Sequence, residues 1–261
     1  MTGGRTDGPT GDGTGDLGEP VDSAGVPWTG RELPRQPFAG DDGTADPALA
    51  AALAAHAAGT APLADVVTAL GAARVLVAVV AVVGTDHPLP THDRGDLGAD
   101  LAVVTLTGAD GVRALPVFTG MAALTRWDAA ARPVPVESAR AALSAVAEGC
   151  DRLRIDPAGP VPLTVPRPAV WALGRGLPWT PPAADAELLA AVADAVRTVP
   201  DVLRLRAEPV GDAGLRVVLG IAAGLSREAL ATVVDAVRAR IAGVELLAER
   251  ADAVQLAVVP A

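Results

Sequence analysis

The sequence predicts an α/β (α+β) fold: an N-terminal mixed sheet with flanking helices, then a smaller C-terminal α-β-β-α-β-β sandwich. Three observations predict it. The longest uninterrupted apolar run, Val75 to Val83, lies between Arg74 and Gly84 and is short, β-branched and apolar on both faces, as a strand inside a covered sheet must be. Segments with helical spacing flank it, such as Leu63, Val66, Val67 and Leu70 at i, i+3, i+4, i+7. Beyond the proline-rich stretch 157–182, helical stripes alternate with pairs of short strands.

Taken in order, residues 1–26 hold glycine, proline and acids but almost no large apolar side chains, so they cannot bury enough surface to order themselves. Gly13, Gly15 and Gly18 fit a dinucleotide-loop pattern, but it lacks the strand and helix that would frame it. Asp46-Pro47 is an N-cap followed by proline in the first turn, so regular structure begins there. Leu101–Leu106 reads as a second strand and Val112–Phe118 as a third, placed at an edge or bulge because Pro116 cannot donate to a ladder. A short helix ends near Trp127, and a proline-punctuated segment, Arg132–Val136, follows. A helix from Ser138 to Glu148 stops at Gly149, and Leu153 and Ile155 alternate with polar residues as in a strand. Pro178–Pro182 is the expected linker, giving a domain of 27–178 and a second of 183–261. In the second, helices over Ala184–Thr198 and Ser226–Ile241 cover strands near 202–208, 215–222, 244–249 and 254–259, with Leu203 and Leu205 inward.

Composition narrows function. The 261 residues carry a net charge of −10, and residues 1–46 hold nine acids against three Arg, so −6 of it falls on the N-terminal arm. No basic stripe is present to neutralise phosphates, which argues against direct nucleic-acid binding. All 21 basic residues are Arg, which excludes lysine chemistry. No run approaches the roughly 20 apolar residues that span a bilayer. Cys150 is the only cysteine, so no internal disulfide can form. These features describe a soluble, cytoplasmic chain.

Constellations with chemical potential are few. Asp86, His87, His92, Asp93 and Asp96 share one loop and could offer ligands to Zn²⁺ or Mn²⁺, although its prolines, the glycines Gly84 and Gly95 and the lack of a third His or Cys favour a solvated connection. No serine sits in a nucleophile elbow; Ser138 and Ser226 read as helix caps. Cys150 follows a helix-ending glycine and lacks a neighbouring His, so it reads as structural, and His56 as a packed helix residue. The candidate ligand- or partner-binding surface is Phe118, Thr119, Arg126, Trp127, Asp128 and Arg132, which brings aromatic, guanidinium and carboxylate groups to a strand end in a chain with six aromatics. The bland alternative is that Trp127 plugs the core and Arg126 or Arg132 pairs with Asp128.

The segments Val26-Pro-Trp-Thr-Gly30, Phe38-Ala-Gly-Asp-Asp-Gly43, Leu115-Pro-Val-Phe-Thr119, Trp127-Asp128, Arg132-Pro-Val-Pro-Val136 and Asp156-Pro-Ala-Gly-Pro160 together resemble the actinobacterial branch of the SseB family, over about residues 26–178. The resemblance implies an α/β fold, a cytosolic setting and no established enzymatic activity, and it supplies no catalytic residues. The expectation is a non-enzymatic binding or regulatory protein, without cofactor, linked to amino-acid metabolism. Rivals from other classes are a metal-dependent hydrolase using His87, His92 and Asp93, and an interaction module docking through its acidic arm.

Overall fold

The computed structural model describes residues 38–82 and 100–261. The expectations for the N-terminal arm and for the His87–Asp96 loop fall outside those residues. The chain divides into units 1–41 and 42–261, and every described helix and strand lies in the second.

Helices α1 (Pro47–Ala57) and α2 (Leu63–Ala72) lead into β1 (Arg74–Val82). Asp46 caps α1 as expected, its carboxylate accepting from the N–H groups of Ala48 and Leu49 at 2.8 and 2.9 Å. There follow β2 (Asp100–Val103), β3 (Leu106–Thr107), β4 (Arg113–Phe118), α3 (Met121–Trp127), β5 (Arg132–Glu137), α4 (Ser138–Ala147), β6 (Arg152–Ile155), β7 (Leu163–Val165) and α5 (Arg167–Gly174). A 3₁₀ turn at Pro182–Ala184 precedes α6 (Ala186–Val196), β8 (Val202–Val210), β9 (Gly214–Ile221), α7 (Arg227–Ala242), α8 (Glu245–Arg250) and β10 (Ala253–Pro260).

The first seven strands make one mixed sheet. β1 lies inside it, with β5 along one edge and β2 and β4 sharing the other. β4 runs parallel to β6, and β6 antiparallel to β7. Two sequence expectations change here. β4 is an interior strand, because Pro116 falls between the residues paired with β3 (Ala114) and those paired with β1 (Val117), where no partner on that side asks for its missing N–H. The proline-punctuated segment Arg132–Val136 takes a definite place, its prolines sitting on an edge strand paired with β1.

β8, β9 and β10 form a three-stranded sheet in the order β10-β9-β8, with β10 parallel to β9. The strand expected at 244–249 is helix α8, since Val244, Leu247, Ala248 and Ala251 repeat at i, i+3, i+4, i+7 among helix-favouring Glu, Leu and Ala. Leu203 is 64% exposed, not inward. The register skips it between Val202 and Arg204, and this bulge turns Val202, Leu205 and Ala207 to the covered face instead.

Helices α1, α2, α4 and α5 pack over the large sheet around Leu49, Leu70, Leu115, Leu153 and Ile155. Phe118, Leu76 and Leu124 centre a smaller cluster. α6, α7 and α8 cover the second sheet around Leu188, Leu215, Leu219 and Val237. Two residues from outside the expected first domain, Trp179 of the supposed linker and Ala213 at the β8–β9 turn, belong to the first core. Arg167, opening α5, donates to the carbonyls of Ala248 and Ala251 at 2.7 and 3.0 Å and pairs with Asp252 at 3.6 Å. Among the described residues no helix is long and apolar enough to cross a membrane.

Candidate functional site

Of the strand-end residues proposed from sequence, Phe118, Thr119 and Trp127 lie in packed or hydrogen-bonded contacts, whereas Arg126, Asp128 and Arg132 do not join them. Phe118 is fully buried at the end of β4, and Trp127, half-buried at the end of α3, packs its ring against it with centroids 5.3 Å apart. Thr119 is buried beside the end of the parallel strand β6, where Asp156 takes both of its donors: the Thr119 N–H reaches Oδ1 at 2.9 Å and the hydroxyl reaches Oδ2 at 2.7 Å. Asp156 holds a left-handed φ of 44°, from which the Asp156-Pro-Ala-Gly159 turn closes with Gly159 N–H donating to the Asp156 carbonyl at 2.8 Å. Burial pushes the Asp156 carboxyl above its ordinary value, opposed by the two Thr119 hydrogen bonds and by the charge of Arg126. Arg74 adds a clamp from β1, donating to the carbonyls of Thr119 and Thr44 at 2.6 Å each.

Both Asp156 oxygens are therefore engaged, which makes the carboxylate a fastening and not a base. Asp128 accepts from the Ala130 N–H at 2.8 Å and shapes the turn after α3. Arg126 and Arg132 are exposed, and neither pairs with Asp128 among the described residues. Asp156 escapes sequence reasoning although it opens the Asp156–Pro160 motif, because its partner stands 37 positions away. Other sequence candidates are also structural. Ser138 does not cap its helix but donates to the Ala73 carbonyl at 2.9 Å, whereas Ser226 does cap α7 through the Ala229 N–H. Cys150 is buried, which raises its thiol pKa. His56 Nδ1 lies 3.1 Å from the Ala61 carbonyl and ties the α1–α2 turn.

Sequence reasoning did not find the groove between α5, the 3₁₀ turn, α6 and α8. It encloses about 530 Å³. Its aromatic wall is Trp171, 39% exposed on α5, with the Arg175 guanidinium 5.6 Å from the ring centroid one helical turn on. Trp179 lines the same groove and is only 8% exposed; its indole nitrogen is turned away from solvent, and among the described residues its N–H has no hydrogen-bond acceptor. The opposite wall is ionic: Arg250 of α8 lies 2.9 Å from both Asp185, the N-cap of α6, and Glu187. Burial alone would raise the Asp185 pKa; the Arg250 hydrogen bond and charge, with the backbone N–H groups of Leu188 and Glu187, outweigh it and hold the carboxyl below its ordinary value. The groove thus offers a flat aromatic face with a stacked cation, and both signs of charge. The only sequence signal was two of the four Trp standing eight residues apart in the proline-rich stretch. Among the described residues no three His, Cys, Asp or Glu converge to hold a metal ion.

Residues 49–172, spanning α1 to the last turns of α5, match the family model of the SseB protein N-terminal domain. The chain thus carries an SseB N-terminal domain. No curated protein and no solved structure matches it. The SseB domain contains the whole seven-stranded sheet, the Thr119–Asp156 lock and Trp171. Arg175, Trp179 and the ionic wall of the groove lie beyond it, so any ligand there would touch the SseB domain and the residues that come after it.

Proposed function

We propose that this SseB-domain chain is a cytoplasmic binding protein without catalytic chemistry of its own, and that its ligand lodges in the groove between α5, α6 and α8. The observation that carries the reading is the exposed Trp171 ring with the Arg175 guanidinium beside it, on the wall of a space the size of a small-molecule site and facing the Asp185–Arg250–Glu187 ion pairs. Trp171 with Arg175 offers a face for a flat or apolar group, and Glu187, Glu249 and Arg250 offer partners for charge. The chemistry suits a small metabolite bearing a flat or apolar group and a charged or zwitterionic group, so amino acids and nucleotides are the first ligands to try.

Thermal unfolding in a panel of amino acids and nucleotides tests this. A ligand at 100 times its dissociation constant stabilises the native state by about 2.7 kcal/mol, which is read as a raised melting temperature. One member of the panel is expected to raise it in the native chain and to lose that effect in Trp171→Ala and in Arg175→Ala. A stabilisation that survives both substitutions places the ligand elsewhere and removes the groove from the account.

A further inference from the structure

The two outer strands of the C-terminal sheet are built on different plans. β8 carries Arg204, Arg206, Glu208 and Pro209 and a bulge at Leu203, which are the devices that keep a free strand edge from pairing with another chain. The edge strands of the large sheet follow the same practice: β5 has Arg132, Pro133, Pro135 and Glu137, and β7 is three residues long. β10 has none of this. Its eight residues, Ala-Val-Gln-Leu-Ala-Val-Val-Pro, carry no charge, run in unbroken register with β9, and have only Pro260 at the end. Among the described residues nothing pairs with its outer edge. Val254, Val258 and Val259 are each about 40% exposed, at 41%, 40% and 41%. Val254 and Val258 pair with the inward residues Leu215 and Leu219, so they belong to the helix-covered face, yet the helices stop short of them. The shortfall is a groove of about 500 Å³ along β10, with Ile241, Val244, Leu247, Val254 and Leu256 along it and the charged Arg238 and Asp252 at its margin.

We propose that a second copy of this chain covers that edge, its β10 pairing antiparallel with the first about a two-fold axis at Leu256. The strand is self-complementary in that register. Val254 meets Val258 of the second copy and Leu256 meets its own equivalent on the covered face, while Gln255 meets Ala257 on the other, so no pair between Ala253 and Val259 sets apolar against charged. The axis stands perpendicular to the sheet, so both helical layers fall on the same side of one six-stranded sheet and the two grooves face each other. Charge permits a second copy along this strand. Each chain bears −10, so two copies approach best along a neutral seam, and this strand provides one. The nearest acid in sequence, Asp252, then lies opposite Pro260 of the second copy, and the two Asp252 carboxylates stand about 27 Å apart along the sheet, well beyond a Debye length of about 8 Å.

The test is the oligomeric state of the full chain by light scattering at about 50 μM, above the roughly micromolar dissociation constant expected of a small interface. The native chain is expected at twice the monomer mass. The double variant Val258→Lys, Val259→Lys is expected at monomer mass with an unchanged helical and strand signal, and Leu203→Lys on the guarded β8 edge at dimer mass. A native chain that is monomeric at this concentration, or a dimer indifferent to the lysine pair, overturns the proposal. Should the lysine pair unfold the sheet, Leu256→Cys decides instead. At the axis its Cα separation from its mate falls within the 4.4–6.8 Å that a disulfide spans, whereas Cys150 is buried, so mild oxidation gives an interchain cross-link. No cross-link rejects the register and the proposal with it.

Discussion

Replacing Asp156 separates what its carboxylate holds from what its charge costs. In Asp156→Ala two donors of Thr119, the N–H and the hydroxyl, lose their acceptors at 2.9 and 2.7 Å in a buried setting. Each unsatisfied donor costs about 1–3 kcal/mol, and an alanine held at a left-handed φ adds about 1 kcal/mol. Against this stands the removal of a carboxylate that burial disfavours, so the expected net loss is about 2–4 kcal/mol. Asp156→Asn keeps an acceptor for the Thr119 N–H, offers its amide N–H to the hydroxyl oxygen, and tolerates the left-handed backbone, so it should fall within about 1 kcal/mol of the native chain. The two differ in pH dependence. Because the folded carboxyl titrates above its unfolded value, the native chain is favoured relative to Asp156→Asn below about pH 4 and loses that advantage as pH rises through the raised folded pKa. Urea melts of all three proteins at neutral and mildly acidic pH measure both effects. An Asp156→Ala protein of native stability, or an Asp156→Asn protein as weak as Asp156→Ala, would refute the lock.

Trp127→Ala should cost about 2–3 kcal/mol, less than the roughly 3–5 of a fully buried tryptophan, because the indole is half-buried against Phe118. Arg132→Ala, exposed on an edge strand, should stay within about 0.5 kcal/mol in the same denaturant melts. Asp185→Asn keeps the cap on α6 but weakens the tie to Arg250, for a loss of about 1 kcal/mol. Since the folded Asp185 carboxyl titrates below its ordinary value, that contribution is present above about pH 4 and fades as pH falls through the lowered folded pKa, which melts across pH 3–6 would show as a converging pair of curves.

The features legible in the sequence are local. Asp46-Pro47 announces α1 because a cap and its first turn lie within three residues, and the stripe from Leu63 to Leu70 announces α2 for the same reason. Pro116 misleads because its tolerance depends on where two different partners leave a gap, which no single strand reveals. Leu203 misleads because a one-residue bulge reverses the alternation on which inward and outward assignments rest. In 244–250 a helical repeat is present, and a strand there serves only to complete a symmetric pattern. The groove escapes for a stronger reason: Arg250 meets Asp185 across 65 positions, and an unpaired indole N–H is a property of three-dimensional surroundings alone.

Trp179 and Ala213 reach across from the later part of the chain into the first core, and Arg167 reaches the other way to the end of α8. A fragment cut at residue 178 would lose two of the plugs that keep water from its own interior, and Arg167 would be left with no carbonyl to hold. Heat should therefore melt the segment from Asp42 to Ala261 in one calorimetric transition, with either half alone surviving only at a markedly lower temperature.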